Sequence, residues 1–430
     1  MRLKRFIGAS AATLLCWFSL FAQTNSTALT VEDLVRIALE RNQEYLAAQE
    51  RVREAEALMR QAGLRPTPTI EIETGTGAVL GSRGESAYSA AFFQNIETGG
   101  KRPKRLAIAE KGLALAQAEV RERERQLQFE IRTQFVAAVQ EQLKLQAIRS
   151  LAPATAENYQ LVTRRVELGD AAPLEQQLLR VEMNRIEADQ VLLLAATEAA
   201  GAELRASVGQ PSSEPTNLRP ELRLRETVPD LATLKLTALQ QRSDIQILTL
   251  LEEQADAEVA LAQAEGRPDL TLSARYTRVN SAFEQSGFSD SGTLVPLRDA
   301  DNFLTFGLSI PLFTRNRARG MVEAAESRHV QQRLQREHLK RAIPEEVEAA
   351  YRRWSGASRS LEILRTGVIE PSQKNLVVIR EAYRLGQLRL LDVLNEQRRL
   401  VDLQLSYIEA QAQAARALVE LEHAIGGPLP

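Results

Sequence analysis

The sequence repeats itself at long range, and that constrains its fold more than any local motif. Ala55-Glu56-Ala57, Pro68, Ile70 and Ile72 recur as Ala255-Asp256-Ala257, Pro268, Leu270 and Leu272, at a constant offset of 200. Ala109-Glu110 and Phe135 recur as Ala325-Glu326 and Tyr351 at 216. Leu168-Gly169, Leu174-Glu175 and Val208-Gly209 recur as Leu385-Gly386, Leu391-Asp392 and Ile425-Gly426 at 217. A period of about two hundred residues is far beyond a solenoid unit. The chain therefore reads as a first repeat, 31–209, a linker, 210–229, and a second repeat, 230–426. Insertions are tolerated in exposed loops, so the jump from 200 to 216 puts loop tips at Ser281–Asp301 and at the shorter Gly77–Glu85. The last one-residue slip falls between Phe135 and Leu168, where Pro153 and Pro371 mark helix irregularities.

Each half opens with a short helix, Val31 to Arg41 and Leu231 to Arg242, then a second helix stopped at Gly63 and Gly266. Arg65-Pro66 and Arg267-Pro268 break the helical period, and alternation follows. Leu270, Leu272, Ala274 and Tyr276 share one face, and Leu304, Phe306, Leu308 and Ile310 repeat the pattern. Ile70 and Ile72 begin the matching strand of the first half, and Tyr88 to Ile96 is a less regular return. One hairpin per half is expected.

From Lys101 to Leu168, and from Arg317 to Leu385, helix formers continue with few breakers. At 1.5 Å per residue each would reach roughly 100 Å, the length of an extended rod. Gly169 and Gly386 end the rods, and return helices follow at once, the first with Pro173 in its opening turn. In the second return helix Leu391, Leu394, Val401, Leu405, Ile408, Ala412, Ala415 and Val419 form a seam broken only by Arg398. Such a seam requires a helical partner.

Four alternating strands leave an open sheet two unpaired edges. In a bilayer a sheet must close, and the smallest membrane barrels have eight strands. Two copies would supply eight strands and three would supply twelve; only the larger number leaves a plausible water-filled lumen.

The first residues suit such a destination. Arg2, Lys4 and Arg5 precede the apolar run Phe6–Phe21, with Ala22 as cleavage position, and 1–22 reads as a secretory signal peptide. A retained anchor is the competing reading, for which the run is short. Cys16, the single cysteine, lies inside this leader, so the processed chain has no thiol or disulfide. Lipidation of Cys16 is the other possibility, with a bulky Leu15 against it. The 54 basic residues balance 56 acidic ones, which gives no basic face for nucleic acid.

Gln61-Ala62-Gly63-Leu64-Arg65-Pro66-Thr67-Pro68, Gln94 to Arg102, Tyr383-Arg384-Leu385-Gly386 and Leu391-Asp392-Val393-Leu394 resemble the TolC family of outer-membrane efflux channels. The first two stretches resemble its cobalt-zinc-cadmium resistance branch most closely. The resemblance implies a mainly α fold with a small β part. Long coiled helices would form an α-barrel tunnel, and four strands per chain would contribute to a twelve-stranded barrel in outer-membrane lipid. It also implies a homotrimer that receives substrate from an inner-membrane RND pump through a periplasmic adaptor. Heavy-metal cations are the implied cargo, with organic drugs as the alternative; a periplasmic coiled-coil adaptor or scaffold is the competing class.

By the same resemblance, the pore aperture falls on Glu175, Tyr383 and Asp392, with Asn395 where a second acidic position would stand. Adaptor docking falls on the helical turns: Gly169, Asp170 and Pro173 in the first repeat, and Gly386, Gln387, Leu388 and Arg389 in the second. No cofactor or bound metal is implied. His329, His338 and His423 are not paired at helical spacing, and Met59, Met183 and Met321 form no ladder. No phosphate cradle or catalytic constellation stands out, so no enzymatic activity is expected.

Overall fold

A computed structural model describes residues 28–82, 84–211, 217–312 and 314–429; the expected signal peptide and Cys16 lie outside the described residues. The first repeat runs α1 Val31–Arg41, α2 Gln43–Ala62, β1 Thr69–Thr76, β2 Ser86–Ile96, α3 Lys101–Glu167 and α4 Pro173–Val208. The second runs α5 Leu231–Gln241, α6 Ser243–Glu265, β3 Leu270–Phe288, β4 Leu294–Ser309, α7 Thr314–Leu364, α8 Glu370–Arg384 and α9 Leu390–Ile425.

The two repeats bury equivalent positions. In the first, Leu34, Ala38, Leu127, Ile131, Leu204 and Val208 form one core. In the second, Leu234, Ala238, Ile343, Val347, Leu421 and Ile425 form another. The pairs stand 200, 216 and 217 residues apart, the offsets of the sequence repeat. Each core joins the short opening helix to the rod and to the end of the return helix, so the duplication is one of packing as well as of sequence. Between the repeats Leu29 bridges Leu218 in parallel, and Leu218 is buried in the first core. The described part of 210–229 is thus seated against the body of the molecule.

The one-residue slip has a physical cause. α3 runs unbroken for 67 residues through Pro153, whereas α7 gives way to a π turn at Arg365–Ile369 before α8. A π turn accommodates one extra residue within a helix, which is the difference between the 216 and 217 offsets. Pro371 lies just beyond it. A proline clashes with the carbonyl four residues earlier, here Gly367, and the widened turn falls at that point.

The four strands form one antiparallel sheet in the order β1-β2-β3-β4. The expected loop Ser281–Asp301 is corrected: β3 continues to Phe288 and β4 starts at Leu294, leaving only Ser289–Thr293 as the turn. The polar residues suggested a loop, but an extension exposed on both faces tolerates them while Val295 and Leu297 keep β propensity. A register irregularity lies between Ala282 and Ser286. The return strand β2 is also more regular than its sequence suggested, pairing along its whole length with β3.

The seam of α9 is corrected in part. Leu394, Ile408, Ala412 and Ala415 are buried, whereas Leu391 is 46% exposed and Leu390, beside it, is buried instead. The helix packs on both α3 and α7, so its buried arc is wider than a two-stranded seam and shifted at its start.

Candidate functional site

Strand register sorts the sheet into two chemically opposite faces. Ile70, Phe92, Ala274 and Phe306 stand opposite one another across all four strands, and Ile72, Ala90, Tyr276 and Leu304 form the next row on the same side. Ile70, Ile72, Leu304 and Phe306 are 65–76% exposed, an apolar surface with nothing over it. The opposite face carries Glu71, Glu73, Ser89, Arg275, Thr277 and Thr305. There Arg275 donates to Glu73 at 2.7 Å and to Ser89 at 3.0 Å. A membrane β-barrel has this alternation, apolar toward lipid and polar toward the lumen. Among the described residues the outer edges of β1 and β4 have no partner strand. Among the described residues no helix is long and apolar enough to cross a membrane.

From the foot of the sheet the rods lead to two turns. Gly169 and Gly386 adopt φ of +80° and +73°. Asp170 N donates to the Arg165 carbonyl at 2.8 Å and Gln387 N to that of Ala382 at 2.9 Å, so each glycine terminates its helix in a left-handed cap. Pro173 is in the first turn of α4. Asp170, Gln387, Leu388 and Arg389 are exposed around the turns, as are Leu168, Leu174 and Leu385.

The expected aperture residues differ in exposure and bonding. Glu175 and Asp392 occupy equivalent positions, yet Glu175 is half-buried, with Oε2 enclosed and unbonded among the described residues. Asp392 is exposed, and its Oδ2 accepts the Arg389 backbone N–H at 3.0 Å, capping α9. Tyr383 is half-buried, and its hydroxyl accepts from Arg165 Nη1 at 3.1 Å. Asn395 is exposed on the next turn of α9.

Arg165 and Glu182, which the sequence reading did not single out, tie the tips together with Arg398. Arg165 reaches from α3 to Tyr383 on α8. Arg398 on α9 donates Nε to Glu182 on α4 at 2.7 Å, with Glu182 buried. Between these two contacts Val162, Leu179, Leu390 and Leu394 form a small core drawn from both repeats. Arg398 was visible as the break in an apolar seam; the signal it carried was a buried acid across the seam. Among the described residues no group of three or more His, Cys, Asp or Glu could hold a metal ion.

Comparison with known proteins places this geometry. Residues 236–427 match the family model described as outer membrane efflux protein. The cobalt-zinc-cadmium resistance protein CzcC of Cupriavidus metallidurans is 23% identical over 415 residues, covering 93% of this chain and 90% of that protein. Among solved structures, the CmeC outer membrane channel of Campylobacter jejuni superposes with a TM-score of 0.73 at 15% identity, covering 99% of this chain and 94% of that one. The outer membrane protein VceC of Vibrio cholerae gives 0.70 at 19%, covering 93% and 97%.

Proposed function

We propose, from the match of residues 236–427 to the model described as outer membrane efflux protein, that the chain is such a protein and that three copies assemble into a passive export duct for heavy-metal cations. The four-stranded sheets of the copies close edge to edge, β4 of one on β1 of the next, into a twelve-stranded barrel in the outer membrane. Below it the rods and return helices, four passes per copy, form a periplasmic tunnel. The observation that carries this reading is the sheet itself: one apolar face, one polar face and two unpaired edges, a state that a lipid environment does not tolerate in a single copy.

Cation cargo is supported by the likeness to CzcC, and the exposed Asp392 adds to it. Under threefold symmetry this residue becomes a carboxylate ring at the tunnel mouth, with Tyr383 nearby, raising local cation concentration. Glu175 and Asn395 belong to the same aperture, but the tucked carboxylate of Glu175 contributes less to the field. The turns at Gly169–Pro173 and Gly386–Arg389, ringed by exposed leucines, serve as docking points for a periplasmic adaptor, which joins the duct to an inner-membrane RND pump. Metal selection then lies in the pump and adaptor.

Deleting the gene in its host and measuring retained cobalt, zinc and cadmium beside a dye panel tests the cargo. Selective metal retention, reversed by the intact gene, is expected. Dye retention with normal metal levels would reassign the duct to organic compounds. A detergent-extracted species with the mass of one chain would overturn the trimer.

A further inference from the structure

The two feet of the sheet differ in charge, and that difference points to a ligand. At the foot where the repeats meet, between β2–α3 and α6–β3, Lys101 and Arg105 both have acids. Lys101 is 4% exposed and bonds Asp269 at 2.9 Å and Glu265 at 3.5 Å, and Arg105 is paired with Glu97. Thr98 completes the junction, donating its backbone N–H to Asp269 at 2.9 Å and its hydroxyl to the Pro268 carbonyl at 2.6 Å.

At the other foot, between α2 and β1, Ala62 stands in place of Glu265 before the helix-ending glycine and Thr69 in place of Asp269 before the strand, while Arg65-Pro66 answers Arg267-Pro268. The acids are gone and the cation is kept. Arg65 is exposed and has no hydrogen-bond or ion-pair partner among the described residues. Arg102, also exposed, donates Nε to the Gly63 carbonyl at 2.6 Å, and among the described residues both its terminal nitrogens are open. The two arginines line one groove of about 750 Å³, walled by Pro66, Pro68 and Gln94. The groove also contains Glu97, whose carboxylate is already taken by Arg105. Apolar residues flank the lining segment Arg65–Pro68 in the chain: Leu64 is 59% exposed and Ile70, the first residue of β1 on the apolar face, 72%.

We propose that this groove binds the phosphate of an anionic phospholipid of the periplasmic leaflet, one per copy. The proposal rests on the membrane placement of the sheet given above. Arg65 and Arg102 supply the planar, multidentate donors that suit a phosphate. An acyl chain leaving the groove meets Leu64, Ile70 and Ile72. Lipid supplies the counter-charge that Glu265 and Asp269 provide at the other foot, and removal of one such cation weakens binding by about fivefold.

Native mass spectrometry of the detergent-extracted protein, titrated with phosphatidylglycerol, phosphatidylethanolamine or inorganic phosphate, tests this. Adducts of phosphatidylglycerol up to one per copy are expected, in clear preference to phosphatidylethanolamine. Arg65→Gln and Arg102→Gln should each weaken them about fivefold, with Arg65→Lys intermediate because it keeps the charge and loses the planar fork. Equal binding of the two lipids, or adducts unchanged in both Gln variants, overturns the proposal. Displacement by millimolar inorganic phosphate overturns the lipid assignment in favour of a free anion. Blockage of all lipid adducts by trimer formation itself would show that the neighbouring copy fills the groove, and would overturn it too. The protein mass in the same spectra reports the oligomer independently of any adduct, so failure of the trimer is read separately from failure of the lipid site.

Discussion

Asn42 donates its Nδ2 to the carbonyl of Ser207 at 2.8 Å, pinning the corner between α1 and α2 to the end of α4. Two hundred residues on, Arg242 donates Nη1 to the carbonyl of Ala424 at 3.3 Å, pinning α5–α6 to the end of α9. The residue types differ and the connection is the same. Asn42 also caps α2 by accepting from Glu44 N and Tyr45 N, whereas Arg242 pairs with Asp244 and Glu346. In each repeat a glycine with positive φ, Gly209 or Gly426, lies against this corner.

Those glycines supply a test. Gly209 has φ +76°, and a Cβ there would lie 2.9 Å from the Arg41 carbonyl oxygen. Gly169 at the tip has φ +80° with nothing within 4 Å. Gly169→Ala therefore costs only backbone strain, about 1–2 kcal/mol, while Gly209→Ala adds a backbone clash. In thermal melts of the extracted protein Gly209→Ala should lower the midpoint clearly more than Gly169→Ala. Equal effects would mean that the corner yields freely.

The aperture role proposed for Asp392 and its capping of α9 can be separated by substitution. Asp392→Asn removes the charge and keeps an acceptor for the Arg389 N–H; Asp392→Ala removes both. In planar bilayers both variants should alter cation conductance or block by multivalent cations. Only Asp392→Ala should also lose about 1 kcal/mol of stability through the cap. Conductance unchanged in both would remove Asp392 from the aperture.

The pair between Glu182 and Arg398 holds the second repeat's return helix on the first's. Arg398→Leu leaves the buried Glu182 without its partner and should cost about 1–3 kcal/mol. Adding Glu182→Leu removes the stranded charge and should recover most of the loss. A double variant no more stable than Arg398→Leu would show that the pair is not the source of the penalty.

Much of this architecture was legible in the sequence because it rests on periodicity and punctuation. Gly63, Gly266, Gly169 and Gly386 end helices where their context said, and Ile70, Leu272 and Phe306 lie on the expected face of the strands. The turn between β3 and β4 was misplaced because Ser, Asp and Asn weigh against strand only where a face is buried, and this extension buries neither. The tip contacts were illegible for another reason. Arg165 and Tyr383 are 218 residues apart, and no local pattern says which rod lies beside which. The different exposure of Glu175 and Asp392 has the same origin, since equivalent positions in a duplicated chain meet different neighbours.

His423 gives the fold a calculable pH response. It stacks on Phe129 with ring centroids 4.2 Å apart, and Arg125 donates to its carbonyl at 2.7 Å. Burial first, then the Arg125 charge, lowers its pKa from 6.5 to about 4, with Arg242 acting in the same sense and Glu122 and Asp244 in the opposite one. The ring is neutral in the folded chain at neutral pH, while the unfolded chain takes up a proton near pH 6.5. The contribution to stability is therefore complete above about pH 6.5 and lost progressively as pH falls toward 4. Thermal midpoints should drop between about pH 7 and pH 5, and His423→Phe should flatten that drop relative to wild type. Parallel profiles would assign the acid sensitivity elsewhere.

The β3–β4 extension offers a test of how the proposed assembly is oriented. β2 ends its pairing with β3 at Ser86 opposite Asn280, so the hairpin beyond Asn280 stands clear of the sheet at the end away from the rods. If the rods lie in the periplasm, the turn Ser289–Thr293 faces the exterior. Gly292 has φ +80°, and a Cβ added there would meet nothing within 4 Å, so this turn lies in open space and accepts an insertion. A short epitope placed after Asp290 should label on intact cells and leave the proposed metal export at the level of the unmodified protein. Labelling only after permeabilisation, with export intact, would invert the assembly and place the tips at Gly169 and Gly386 outside.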